Sequence, residues 1–141
     1  MRYWILLVSV VCFAVAAQAA EKENDLPFSK AVRAGNTLYL SGELGVLPGT
    51  LKLAPGGIAA ETRQAMENIK ATLEAHGSDM SRVVKCLVML ADIDEWAQMN
   101  TVYRTYFKKP FPARSAMGAG GLALGARVEI ECIATVSDER G

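Results

Sequence analysis

With 141 residues, 51% of them hydrophobic and 21% charged, the chain suits one globular domain with an ordinary core. Fifteen Lys and Arg balance fifteen Asp and Glu. No basic run or aromatic-basic stripe occurs, so a nucleic-acid partner has no electrostatic footprint, and Lys108-Lys109 reads as a solvated loop pair.

The first stretch reads as a leader. Arg2 gives a positive start, Ile5 to Ala17 is apolar, and Ala17-Gln18-Ala19 is a small-x-small cleavage pattern, followed by the charged Glu21-Lys22-Glu23. This predicts a secretory signal peptide over residues 1–19, cut after Ala19. A retained anchor is the alternative, although the apolar run is shorter than the roughly 20 residues a span needs. Cleavage predicts a near-neutral mature protein, periplasmic or secreted, with no membrane contact. A polar linker over residues 20–27, a folded domain over 28–136 and a tail over 137–141 complete the expected organisation.

Ala31 to Ala34 and Thr37 to Leu40 flank Gly35-Asn36, a turn pair suited to a β-hairpin that ends at Ser41-Gly42. Gly45 through Gly57 is a glycine- and proline-rich loop with room for a short edge strand at Thr50 to Leu53. Ile58 to His76 reads as a helix: Ile58, Ala65, Ile69 and Leu73 form its apolar stripe, Glu61, Arg63, Gln64, Glu67, Lys70 and Glu74 its polar side, and Gly77 its stop. His76 fits the negative end of that helix dipole and, as the single histidine, cannot build a triad or metal site alone. Val83 to Leu90 is a β-branched run suited to a strand covered on both faces, with Lys85 its one charge.

Asp92 caps a second helix, with Glu95 placed for a capping box. Its stripe of Trp96, Met99, Tyr103, Tyr106 and Phe107 is expected to face inward. Asn100 falls in that stripe, and a buried amide needs partners. Pro110 and Pro112 return the chain to extended backbone, so Ala113 to Gly118 and Arg127 to Val136 read as strands joined by the glycine-rich Gly118 to Gly125. In the last strand Val128, Ile130, Cys132, Ala134 and Val136 share one face, and Arg127, Glu129 and Glu131 share the other, which suits solvent or a subunit interface. Cys86 and Cys132, the two cysteines outside the leader, read as buried thiols, with a disulfide between them open. The element order is α+β. Arg114, on stiff backbone just past two prolines, offers a planar donor fork suited to a carboxylate or phosphate. An ion pair with Glu129 or Glu131 would satisfy it equally well.

Phe111-Pro112-Ala113-Arg114-Ser115, Arg127 through Ala134, Leu40-Ser41-Gly42 and Asn100-Thr101-Val102-Tyr103 resemble, in order, spacing and element, the RidA (YjgF-like) reactive-intermediate deaminase family. The resemblance implies a chorismate-mutase-like α+β subunit, a mixed β-sheet with two helices packed on one face. It also implies a homotrimer with a central barrel and clefts between neighbouring subunits. The implied reaction is hydrolysis of enamines and imines such as 2-aminoacrylate and 2-iminopropanoate to 2-oxo acids and ammonia, without metal or organic cofactor.

Residue by residue, the resemblance makes Arg114 the anchor of the substrate carboxylate. Glu129 becomes the acid near the attacking water, Asn100 a cleft amide, and Ser41 and Gly42 the cleft wall. Two positions depart from the family pattern: Phe28 stands where a tyrosine is frequent, and Ala116 where a cysteine is frequent. Both line the implied substrate cleft, Ala116 offering only its backbone N–H. A trimeric module that binds small 2-oxo or amino acids without turning them over is the alternative expectation.

Overall fold

The structure, a computed structural model, describes residues 26–137; the expected leader and most of the linker lie outside them. Its elements are β1 (Ala31–Ala34), β2 (Thr37–Leu40), β3 (Glu43–Leu44), α1 (Gly57–Ala75), β4 (Val83–Leu90), α2 (Trp96–Tyr103), β5 (Ala113–Gly118) and β6 (Val128–Thr135). The strands form one mixed sheet in the order β1-β2-β6-β4-β5, with β3 also paired to β6. Only β4 and β5 run parallel, and α2 lies in the crossover between them.

Gly35 closes the β1–β2 hairpin at φ 58°, a conformation that a side chain would resist. In β6 the alternation works as expected: Val128, Ile130, Cys132 and Ala134 are buried, and Val136 beyond the strand end is buried with them. They meet Ile58, Ala65, Ile69 and Leu73 of α1, the stripe the spacing predicts, with Met66 and Met99 completing the core. Each such side chain removed from water contributes about 1.5–3 kcal/mol, which fixes both helices on this one face.

The opposite face of the sheet has no covering element of its own among the described residues. In β4, Cys86, Val88 and Leu90 are buried while Val84 and Lys85 are exposed and Leu87 and Met89 half-buried, so this strand is covered on one face rather than two. The expected edge strand at Thr50 to Leu53 reduces to a single bridge between Val46 and Leu53.

Four other expectations change. Cys86 and Cys132 are directly opposite in β4 and β6, and they form a disulfide rather than two separate thiols. Glu61, placed on the polar side of α1 by its period, is only 5% exposed, because the backbone at Gly45 lies against it and leaves no room for a Cβ. Its carboxylate accepts the Arg127 N–H at 2.8 Å. Arg127 itself turns away from Glu129 and Glu131 and pairs with Glu95 at 2.6 Å. Glu95 is thereby withdrawn from the expected capping box, and Asp92 caps the 3-10 turn Ile93–Glu95 alone, accepting from Asp94 N–H at 2.9 Å.

Candidate active site

Arg114 is the second residue of β5, which starts directly after Pro112, and pairs in register with Cys86, so its side chain lies on the helix-covered face. There its guanidinium donates to Asn100 Oδ1 at 2.6 Å and sits 4.7 Å from the Tyr103 ring centroid and 5.7 Å from that of Trp96. The amide in the apolar stripe of α2 thus has its partner, and Asn100 and the two rings point Arg114 at one place. Trp96 is 45% exposed and belongs to this arrangement rather than to the core, which corrects its place in the inward stripe. Met99 and Tyr103 are buried as expected, with Tyr106 and Phe107 packed at the core's edge.

Among the described residues, no carboxylate lies within ion-pairing distance of Arg114. The alternative of a cross-strand pair with Glu129 or Glu131 is therefore excluded there. The guanidinium instead lines an open cavity of about 400 Å³ together with Asn100, Tyr103, Arg104, Phe111 and Pro112. Among the described residues, none that lines it is acidic. Tyr103 keeps a buried hydroxyl with no hydrogen-bond partner among the described residues, and burial pushes its pKa up to about 12, with the neighbouring Arg114 opposing that rise. It is a neutral phenol at any working pH, and its ring is the useful part. A guanidinium held on three sides and open on the fourth is an anion receptor.

Glu129 lies elsewhere. It pairs in register with Met89 of β4 and Leu44 of β3, an odd number of residues from the Cys86–Cys132 row, so it projects from the open face of the sheet. Gly42 packs against its carboxylate, and any side chain at position 42 would collide with it. Ser41 donates from Oγ to Ser29 O at 2.6 Å and from its N–H to Lys30 O at 2.9 Å, which ties this wall to the segment carrying the exposed Phe28. Burial, then the charges of Glu131 and Glu43, raise the Glu129 pKa above the usual carboxylate value. A carboxylate so placed is a stronger base once ionised.

The expected site residues therefore form two groups on opposite faces of one sheet. Arg114 and Asn100 make the first, and Ala116, on the same face as Arg114, packs its methyl against the core beside them. Ser41, Gly42, Glu129 and, through Ser29, Phe28 make the second. Sequence reasoning missed the aromatic seat of Arg114, although Trp96 and Tyr103 at helical spacing around Asn100 carried that signal.

The profile of the endoribonuclease L-PSP family matches residues 18–136. The chain is 48% identical over 108 residues to a 2-iminobutanoate/2-iminopropanoate deaminase of Bos taurus, covering 77% of this chain and 79% of that protein. Crystal structures of RidA from an Antarctic Psychrobacter (TM-score 0.75, 41% identity, 79% of this chain and 90% of that one) and of E. coli TdcF with bound serine (TM-score 0.74, 30% identity, 79% and 90%) share its fold. With the profile spanning almost the whole described chain and an identity near one half, the protein belongs to the endoribonuclease L-PSP family, which is the RidA/YjgF family.

Proposed function

We propose that the protein hydrolyses 2-imino acids, the tautomers of 2-enamines such as 2-aminoacrylate, to 2-oxo acids and ammonia. The observation that carries this reading is Arg114, held by Asn100 and two aromatic faces, without a carboxylate partner among the described residues, and open to a cavity. Relatives named for this deamination at 44–48% identity over most of the chain support it. The serine held by TdcF, a small α-amino carboxylate, is the kind of anion such a receptor suits.

In the proposed reaction the substrate carboxylate forms a two-bond pair with the Arg114 guanidinium, which fixes the face of the adjacent imine carbon. A water oxygen adds to that carbon while Glu129 takes the water's proton. The product of addition is a carbinolamine. Glu129 returns that proton to nitrogen, completing the amino group of the carbinolamine, and then carries the hydroxyl proton to the same nitrogen; the C–N bond breaks, and ammonia leaves as the oxygen becomes the carbonyl of the 2-oxo acid. The atoms of imine and water are all accounted for, with no change of oxidation state.

One chain cannot bring its own Glu129 to a substrate on its own Arg114, because the sheet stands between them. We infer that a second copy supplies the missing group, and that three copies close their uncovered sheet faces into the homotrimer the family resemblance implies. The leader pattern supports a periplasmic or secreted protein, a reading tested by sequencing the mature N-terminus.

Mixing two variants tests the composite site. Arg114→Ala and Glu129→Gln, each nearly inactive on 2-aminoacrylate released in situ by a lyase, are unfolded together and reassembled. Recovery of part of the wild-type rate is the expected result, since some clefts then join an intact Arg114 to an intact Glu129. No recovery, or a monomer on sizing, overturns the shared cleft; a wild-type rate equal to buffer overturns the deaminase.

A further inference from the structure

The cavity beside Arg114 has a second guanidinium that the proposed reaction leaves unused. Arg104 follows Asn100 by one helical turn, closed by its N–H donating to Asn100 O, and it lines the same space as Asn100 and Arg114. It is exposed, and among the described residues no carboxylate lies within ion-pairing distance of it. The segment that builds this cavity is one-sided in charge. From Trp96 to Val128 it holds Arg104, Lys108, Lys109, Arg114 and Arg127 and no Asp or Glu, in a chain whose charges balance overall. Arg127 is taken by Glu95 at 2.6 Å, and of the other cations only Arg104 and Arg114 line the cavity. Its volume of about 400 Å³ lies towards the small end of the range for small-molecule sites, roughly 300–1,000 Å³.

We propose that Arg104 is a specificity-determining residue that reads a second carboxylate on the substrate. The cavity then takes short dicarboxylic 2-imino acids such as 2-iminosuccinate: Arg114 holds the carboxylate next to the imine carbon, and Arg104 the one at the far end. The inference deepens the reading of Arg114 as the carboxylate anchor of an imine hydrolase, and rests on it. The reaction at the imine carbon is the same, so one imine and one water give a 2-oxo dicarboxylic acid and ammonia. The two cations divide the task by how they are held. Arg114 is aimed by Asn100 and two rings, whereas Arg104, on an exposed side chain, is free to follow the distal carboxylate. A pair so exposed is screened by water and salt, which keeps its effect near about fivefold, well below that of the anchor. A cation at the end of α2 also suits the helix dipole, a role that is blind to substrate.

The test gives the assembled protein two imines of equal carbon count, released in situ by amino-acid oxidases: 2-iminosuccinate from aspartate and 2-iminobutanoate from 2-aminobutanoate. The quantity read is the ratio of kcat/KM on the first to kcat/KM on the second. Arg104→Gln lowers this ratio about fivefold, through KM, while Arg104→Lys lowers it less and Arg104→Glu lowers it further. Added salt lowers the wild-type ratio, and Arg104→Gln blunts that dependence. In thermal scans oxaloacetate raises the Tm of wild type more than 2-oxobutanoate does, and Arg104→Gln loses the difference. A ratio that Arg104→Gln leaves unchanged overturns the inference; if the same variant lowers Tm or dissociates the assembly, Arg104 is a helix-end or intersubunit cation instead. If neither imine decays faster than in buffer while the oxaloacetate difference holds and depends on Arg104, the receptor for two carboxylates stands and the deaminase reading falls.

Discussion

Arg114 and Glu129 sit on strands separated only by β4, and their surroundings prepare them in opposite ways for the work proposed above. Arg114 is held by named partners, an amide at 2.6 Å and two aromatic rings, so its direction is fixed before any ligand arrives. Glu129 has no such partner among the described residues: a glycine leaves space for it, and burial and two like charges disfavour its ionised form. In the proposed reaction the anchor is thus built by attraction and the base by crowding. Preorganisation serves binding, and a costly charge serves proton transfer.

The largest effect that can break this comparison is loss of the anchor. Arg114→Ala should lower kcat/KM by about 10³-fold, the scale for deleting one side of a desolvated charge pair, and Arg114→Lys should recover little because it lacks the planar fork. Decay of in situ 2-aminoacrylate measures both. Glu129→Gln should cost about 10²-fold, the low end for general-base help, and abolish the acid limb of the profile. A larger loss at Glu129 than at Arg114 would reverse the proposed division of labour.

Glu129→Gln also has a stability signature. A carboxyl whose pKa is raised by folding stabilises the native state in acid and loses that contribution as pH rises through the folded value. Glutamine at 129 should therefore raise Tm at neutral pH, and the gain should vanish in acid, which thermal scans across pH will read.

Smaller changes sharpen the anchor side. Asn100→Ala removes the acceptor of a charged hydrogen bond, worth about 1.5–3 kcal/mol, and should raise KM by about tenfold or more with kcat little changed. Trp96→Leu removes a partly exposed cation–π contact worth about 0.5–1 kcal/mol and should raise KM by only two- to fivefold. If Trp96→Leu costs more than Asn100→Ala, the rings rather than the amide aim the guanidinium.

Much of this was legible in the sequence because single residues broke a local pattern. A charge just past two prolines marked Arg114, and an amide in an apolar stripe marked Asn100. The helices and strands followed from periods of 3.6 and 2, and the family resemblance gave the sheet with two helices on one face. What periodicity could not supply was register. That Arg114 and Glu129 face opposite ways depends on which residue of β4 each one opposes, and strand parity counts only within a strand. Glu61 and Glu43 escaped for a related reason: each is buried by loop or neighbouring backbone that its own element's period does not report. The pairing of Cys86 with Cys132 likewise needed the β4–β6 alignment.

That cross-link gives the protein a chemical record of where it matured. It closes a loop across a sequence separation of 46 residues, and a closure of that length is worth about 4 kcal/mol in the chain-entropy account. A chain folded in a reducing cytosol would do without it, and one folded in an oxidising space would carry it, two hydrogens lighter. Cys86 also lies beside Arg114 in the sheet, so the oxidised chain has its anchor strand next to a strand that is covalently fixed to β6. The mass of the native protein and the drop in Tm on reduction would together show which of these histories it has had.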